Sequence, residues 1–463
     1  MLVRQLAFTS HGLSKKGGTE VIQHLKNYLS FVMLLKRRIP ISPLLRQYFS
    51  ATMTTTIRKK NKTRQQLWNV AQQLSFPTVM WRLPRQAEKH FLSSFSEIPE
   101  QTKIDFEELG AGFAFSPFVN DDGKNTFFLK ADLHYIFTES KLSKNEDLQE
   151  IIVPSDINPS FIDLLEALDL DKKQANTPKI ASIAQTKKED FIDLVANGIT
   201  EIELGVFQKV VLSRTKKIAL SPDFEVVTIF DNLCKAYPNA FVSVVSLPHL
   251  GVIWVGASPE ILVSQDAKGI FRTMALAGTQ SAYDTDGNLI RPSEAMWKQK
   301  EIEEQSFVTR YIINCLKKIR VREFEEEGPK TVIAGNLMHL RTDIIIDTVE
   351  INFPQLATVM LDLLHPTSAV CGMPKLPATQ FILTNEGYDR EFYSGFLGPV
   401  NVQLGTGDQE SHIFVNLRTM KIQNDVATLY AGCGITIDSN PAKEWCETEM
   451  KTQTLEKVLM DDV

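Results

Sequence analysis

The chain has 463 residues, 43% apolar and 23% charged, and 50 Lys and Arg against 56 Asp and Glu give a formal net charge of -6. That length can bury a large core in one domain or in two to three smaller ones, and the mild acidity gives no global case for nucleic-acid binding. Five scattered cysteines, Cys234, Cys315, Cys371, Cys433 and Cys446, form no C-x-x-C pair, which argues for a reducing compartment and against a disulfide framework or zinc site.

Residues 1–60 stand apart. Glu20 is the one acid between Met1 and Arg64, against basic clusters that include Lys36-Arg37-Arg38 and Arg58-Lys59-Lys60. The apolar run from Phe31 to Leu35 is too short to span a bilayer. The segment reads either as an organelle transit arm or as a disordered tail ahead of a start at Met53. After it, residues 61–178 form the first part of the fold and 179–463 the second, divided at the polar stretch from Asp171 to Pro178.

Thr63 to Leu74 has helical spacing and leads into a strand from Phe76 to Pro84. Leu109 to Phe115 and Thr126 to Lys130 are further strands, separated by the turn Asp121-Asp122-Gly123. A helix is predicted from Lys187 to Glu203, with Phe191, Leu194, Val195, Ile199 and Ile202 on one face. Then strands predominate: Phe207 to Ser213, Ala240 to Leu247, Val252 to Gly256, Ile261 to Ser264, Ile270 to Leu276, Asp343 to Glu350, Ser411 to Ile422 and Val426 to Tyr430. Alternation favours antiparallel pairing, and the chain has neither a Walker sequence nor a G-x-G-x-x-G after a strand. The fold class is α+β, with large antiparallel β-sheets packed with helices.

Several ionisable residues break this pattern. Lys209 shares a strand face with Phe207 and Val211, so it either snorkels at an edge or is buried with a depressed pKa and can act as a base. Glu304 sits in the apolar stripe Trp297, Val308, Tyr311, Cys315 of a helix spanning Glu294 to Ile319, where a lone carboxylate needs a partner, a proton or a metal. Glu301 lies one turn earlier. Glu260 follows Pro259 at the start of a strand, as a solvated turn residue or as the acid opposite a buried base. Near the C-terminus a strand ends in Gly432 and Gly434, and the helix opening at Pro441 puts Glu444, Glu447 and Lys451 on one face. That face is either a solvated charged surface or a site holding a cation beside an anion.

Taken together, the motifs are similar to those of chorismate-utilising enzymes. They are Phe207 to Arg214, Ala257-Ser258-Pro259-Glu260, Leu276-Ala277-Gly278-Thr279, Leu364 to Lys375, Phe392-Tyr393-Ser394-Gly395, Leu417-Arg418-Thr419 and Ala431 to Ile435. The resemblance covers roughly Lys187 to Leu455 and implies the anthranilate synthase component I-like fold, with 179–463 as the chorismate-binding catalytic region. Members that use water carry Lys where those that use ammonia carry Gln, and isochorismate synthases carry Ala where salicylate and anthranilate synthases carry Thr. Lys209 and Ala369 thus imply an isochorismate synthase.

The resemblance further implies that Lys209 activates water for attack at C2 of chorismate and Glu260 protonates the departing C4 hydroxyl. Glu304 and Glu447 would ligate Mg²⁺, with Glu444 and Glu301 acting through water. Arg418, Tyr393, Lys451, Gly278, Thr279, Gly432 and Gly434 would cradle the substrate's anionic groups, and His339 would line the ring pocket. It also implies a cytoplasmic monomer that needs no membrane, nucleic acid or amidotransferase subunit, and that feeds menaquinone synthesis, with siderophore synthesis the other outlet. Two departures, Gln305 in place of His and Gln280-Ser281 without the frequent Pro-Arg, bear on substrate positioning. A salicylate synthase, an amidotransferase-dependent synthase and a non-catalytic module docking through the basic arm are the alternatives; deleting residues 1–52 should disable only the last.

Overall fold

The computed structural model describes residues 63–120, 122–139, 146–152, 161, 186–221, 223–284, 286–404 and 409–460. The basic arm and the polar stretch at 171–178 lie outside the described residues. The chain from Asn61 onward forms one unit.

Its first part contains α1 (Arg64–Gln73), β1 (Thr78–Arg82), β2 (Lys89–Ser93), β3 (Glu100–Thr102), β4 (Gly112–Ser116), β5 (Thr126–Lys130), β6 (Leu133–Glu139) and β7 (Glu146–Ile152). Then come α2 (Lys188–Glu203), β8 (Lys209–Ala219), α3 (Val226–Ala236), β9 (Phe241–Leu247), β10 (Val252–Ser258), β11 (Ile261–Gln265), β12 (Ile270–Ser281) and α4 (Gln299–Lys318). A hairpin of β13 (Glu325–Ala334) and β14 (Leu337–Asp347) precedes α5 (Leu356–Leu364), β15 (Gly372–Met373) and α6 (Lys375–Asn385). The chain closes with β16 (Phe396–Val400), β17 (Val402–Gln403), β18 (Gln409–Val415), β19 (Thr419–Gln423), β20 (Val426–Ile435) and α7 (Pro441–Met460).

Two antiparallel sheets result. The first runs β15-β8-β20-β19-β10-β9-β1-β2-β6-β7, and the second β13-β14-β12-β11-β18-β16-β4-β5-β3, with β17 beside β18. Strands from 61–178 and from 179–463 occur in both sheets, so the two stretches build one body. An aromatic-rich cluster that includes Trp81, Phe113, Phe115, Trp254 and Phe414 joins strands of the two sheets, with the Phe241 and Phe414 rings stacked at 4.1 Å. A second cluster packs α4 and α5 on the second sheet, and a third packs α2 and α6 on the first. Cover on both faces explains why β1 and β9 are buried at every position.

Capping sets where the helices start. Thr63 Oγ1 accepts from Gln66 N at 3.2 Å while Gln66 Oε1 accepts from Thr63 N at 3.0 Å, a reciprocal cap for α1. Helix α4 begins five residues later than its apolar spacing suggests. Pro292–Glu294 form a 3-10 turn, Ala295 is extended, and Trp297 donates its indole N–H to Thr331 Oγ1 at 2.9 Å. Trp297 therefore packs toward β13 rather than joining the helical stripe.

At two corners the chain passes between the sheets. Pro259-Glu260 links β10 in the first to β11 in the second, and Asn416-Leu417-Arg418 links β18 in the second to β19 in the first. Pattern alone reads Ser411 to Ile422 as one strand; the structure splits it where Arg418 takes a left-handed φ of 47°. The corners lie side by side, tied by Val415 N to Glu260 O and by Ala257 N to Arg418 O, each 3.0 Å.

Candidate active site

Both corners open onto one cleft. Lys209 reaches it from β8, Gly432 and Gly434 from β20, Gly278 and Thr279 from β12, His339 from β14, Glu304 from α4, and Glu447 and Lys451 from α7. Glu260 and Arg418 enter from the corners, and Ala369 and Tyr393 from connecting segments. The apolar wall includes Val211, Leu276 and Leu417. The sequence-derived residues thus converge, except two.

Those two are Glu444 and Glu301. Glu444 is buried behind the cleft, where its Oε1 accepts from Lys300 Nζ at 2.5 Å and its Oε2 has no partner. Glu301 is turned away: its carboxylate accepts from Lys298 N at 2.9 Å and closes the first turn of α4. Glu301, expected as an outer metal contact, thus caps α4 through Oε2 and is not among the residues that line the cleft.

Glycines set the cleft's dimensions. A Cβ on Gly434 would stand 3.0 Å from Lys209 Cε and 3.1 Å from Glu304 Oε1, and one on Gly432 would stand 2.9 Å from the Tyr393 hydroxyl. Gly278, at φ 66°, lies at a register shift in β12 and accepts a hydrogen bond from His339 Nδ1 at 2.7 Å. That bond puts the ring proton on Nδ1, which leaves Nε2 to accept from Arg418 Nη2 at 3.1 Å. Burial, reinforced by Arg418, pushes the His339 pKa down to about 3, consistent with a neutral ring.

Burial also lowers the Lys209 amine pKa, aided by Lys300 and Lys451 and opposed by Glu304 and Glu260. Burial raises Glu260 to about 8 against Lys209, Lys451 and Arg418. Lys209 is thus shifted toward its neutral form, and Glu260 keeps its proton near neutral pH, a candidate base and an acid sharing one cleft. Arg418 is lowered by burial to about 10 and stays charged.

Burial likewise raises Glu304 to about 7, with Glu447 and Glu444 adding to the shift. Glu447 moves the other way: burial raises it, but Lys451 and Lys300 prevail, and Lys451 donates to its Oε1 at 2.7 Å. Lys300 also stands 3.7 Å from Glu304 Oε1. This lysine was not singled out from the sequence, although its i,i+4 spacing from Glu304 is a signal for it.

No three His, Cys, Asp or Glu side chains among the described residues are grouped as a metal site, and Lys300 engages two of the acids. The donor chemistry nonetheless suits a hard cation: carboxylates crowd one another, and Glu444 Oε2 is a buried oxygen without a donor. Gln305 replaces an expected histidine and anchors α4 by donating to Ala275 O at 3.2 Å and Thr342 Oγ1 at 2.9 Å.

The chain is similar to several known proteins. Isochorismate synthase EntC of Escherichia coli is 29% identical over 271 residues, 57% of this chain and 66% of EntC. Isochorismate synthase MenF of Bacillus subtilis is 26% identical over 289 residues, 62% of this chain and 58% of MenF. The matched segments thus span less than two thirds of either relative. Among solved structures, the menaquinone-specific MenF of Escherichia coli shares the fold with a TM-score of 0.65 at 21% identity, covering 87% of this chain and 92% of that one. Anthranilate synthase component I of Streptococcus pneumoniae scores 0.54 at 20% identity, covering 82% and 89%. The family model described as chorismate binding enzyme matches residues 52–460, and the chain belongs to that family.

Proposed function

We propose that this protein is an isochorismate synthase. Lys209 takes a proton from water as the oxygen adds to C2 of chorismate, the ring double bonds shift, and Glu260 gives its proton to the C4 hydroxyl, which leaves as water. One water enters and one leaves, so substrate and product have equal mass. The observation that carries this reading is the opposed pair in one cleft, a buried amine shifted down and a buried carboxyl shifted up. Arg418 and Tyr393 are assigned to the enolpyruvyl carboxylate, with the planar guanidinium as the main contact. Lys451, Gly278, Thr279, Gly432 and Gly434 complete the cradle, and neutral His339 holds Arg418 in place.

Mg²⁺ belongs to the proposal, with Glu304 and Glu447 as its ligands and Glu444 acting through water. Its role when bound is to neutralise the ring carboxylate. Menaquinone synthesis is the proposed outlet, and relatives of the siderophore type would take the same isomer onward. No helix among the described residues is long and apolar enough to cross a membrane; a cytoplasmic monomer acting without an amidotransferase is part of the same proposal.

The test is incubation with chorismate and Mg²⁺, with and without ammonium, and product identification by chromatography and mass. An equal-mass isomer formed reversibly without pyruvate supports the proposal. Salicylate with pyruvate, an amino product that requires ammonium, or no turnover each overturns it.

A further inference from the structure

Strand β8 carries Lys209, but its outer edge is paired for only two residues, with Met373 opposite Lys209 and Gly372 opposite Val210. Beyond that, Val211 N donates to Cys371 O at 2.8 Å, and the next edge groups, Val211 O and Ser213 N, meet no strand. They meet an ion pair instead. Arg390 Nη2 donates to Val211 O at 2.7 Å, and Glu386 Oε1 accepts from Ser213 N at 2.7 Å and from Ser213 Oγ at 3.0 Å. Arg390 Nε and Nη2 grip the two Glu386 oxygens at 2.7 and 2.5 Å. The remaining nitrogen, Nη1, donates to Val370 O at 2.8 Å, in the segment that presents Ala369 to the cleft.

Both side chains are almost completely buried, at 2% and 1% exposure. A buried ion pair is weak evidence for stability, because desolvation offsets much of its attraction; its value lies in fixed geometry. Here that geometry is a surrogate for a missing strand segment. A bidentate guanidinium-carboxylate unit presents a donor and an acceptor to one edge at ladder spacing, and no apolar pair of the same volume can do so. Neither residue lines the cleft.

We infer that Arg390 and Glu386 are positioning residues: they finish the edge of β8 so that the Lys209 amine and the Ala369 wall stand in fixed register. This rests on the isochorismate synthase reading for its catalytic consequence, but not for its structural one. The charged substrate-holding groups ride on other elements, Arg418 at the second corner and Lys451 on α7, whereas Tyr393 follows Arg390 by three residues and Gly432 and Gly434 pair with β8. Loss of the pair therefore displaces the base while leaving the two charged binding contacts in place.

The experiment uses the full chain with Glu386→Leu and Arg390→Met together, which removes both buried charges at once, and with Arg390→Lys, which keeps charge but loses the fork. Hydrogen exchange is followed over 207–214 and, as a control, over β1 and β9. Steady-state rates with chorismate and Mg²⁺ are measured in parallel. The expected result is faster exchange confined to 207–214, kcat lower by about 10²-fold and KM within about threefold, since a misplaced group costs rate before binding. Arg390→Lys should recover only part of the rate.

Unchanged exchange at 207–214 overturns the inference, as does unchanged kcat in the folded double variant. Acceleration spread equally over β1 and β9 would assign the pair to global stability and also overturn it. If the unaltered protein does not turn over chorismate, the functional reading fails, while the exchange result still decides whether the pair holds β8.

Discussion

Nε2 of His339 stands 3.1 Å from Nη2 of Arg418, and it can accept because Nδ1 is committed to Gly278 O at 2.7 Å. The proposed carboxylate-binding guanidinium is thus aimed by a neutral ring. His339→Ala should raise KM for chorismate about tenfold with a smaller effect on kcat, the size of one hydrogen bond to a charged group. Steady-state kinetics decide it, and an unchanged KM would mean that Arg418 is held by other contacts, such as the 3.2 Å bond to Thr454 Oγ1.

Gly434→Ala tests how closely base and acid cluster are set. The added methyl would press on Lys209 Cε and Glu304 Oε1 at 3.0 and 3.1 Å. A folded variant with kcat reduced about 10²-fold is expected, as for small displacements of reacting groups. Wild-type turnover would show that the side chains have room to retreat.

Lys209→Ala should lower kcat by about 10² to 10⁴-fold, the usual contribution of a placed general base, with substrate affinity nearly intact. Measuring chorismate binding to the variant by calorimetry separates loss of base from loss of site.

The pH profile follows from Glu260. Its pKa of about 8 means that it is a loaded acid below that value, so kcat/KM should decline as pH rises through about 8. A profile flat to pH 10 would remove Glu260 from the acid role. The stability sign is the same: a carboxyl raised in the fold contributes stability that is complete below its unfolded value and lost as pH rises through 8.

A second, opposite dependence lies in the sandwich core. His90 and His134 share a 3.1 Å hydrogen bond, and Trp81 stacks on His90 at 4.7 Å. Burial lowers the His134 pKa to about 4 and holds His90 well below its ordinary value. Both are depressed bases, so their contribution is present above 6.5 and lost as pH falls toward 4, at about 1.4 kcal/mol per pH unit for each group that titrates. His134→Gln should flatten the fall in Tm between those limits; an unaltered slope would assign acid unfolding elsewhere.

Lys209, Glu304 and Glu260 are legible in the sequence because they violate the patterns around them, whereas Arg418, Tyr393, His339, Gly278, Thr279 and Ala369 are reached only through the family resemblance. Lys209 and Glu304 occupy positions where strand and helix periodicity want apolar groups, and the structure buries both in the cleft. Legibility fails where partners are remote. The turn from β18 to β19 shows in the sequence only as a phase change, with Ile413, Val415 and Leu417 on odd positions and Met420 and Ile422 on even ones, which does not say that the chain changes sheets. Strand β14 begins at Leu337, six residues before its readable run, so the pairing of His339 opposite Val332 is missed. Glu301 lies at the edge of the helix face that Glu304 occupies, and proximity to the helix start commits it to a backbone N–H.

The adjacent corners carry one more consequence. Glu260 and Arg418 sit on neighbouring chain crossings bonded to each other, so a sliding of one sheet over the other carries them along together. Lys209 lies on a strand that belongs to the first sheet alone. Shear in the sandwich would therefore change the reach between base and acid while leaving the acid and Arg418 in step, which makes the interior between the sheets, whose aromatic cluster extends to the cleft at Tyr393 and Tyr430, a lever on proton transfer.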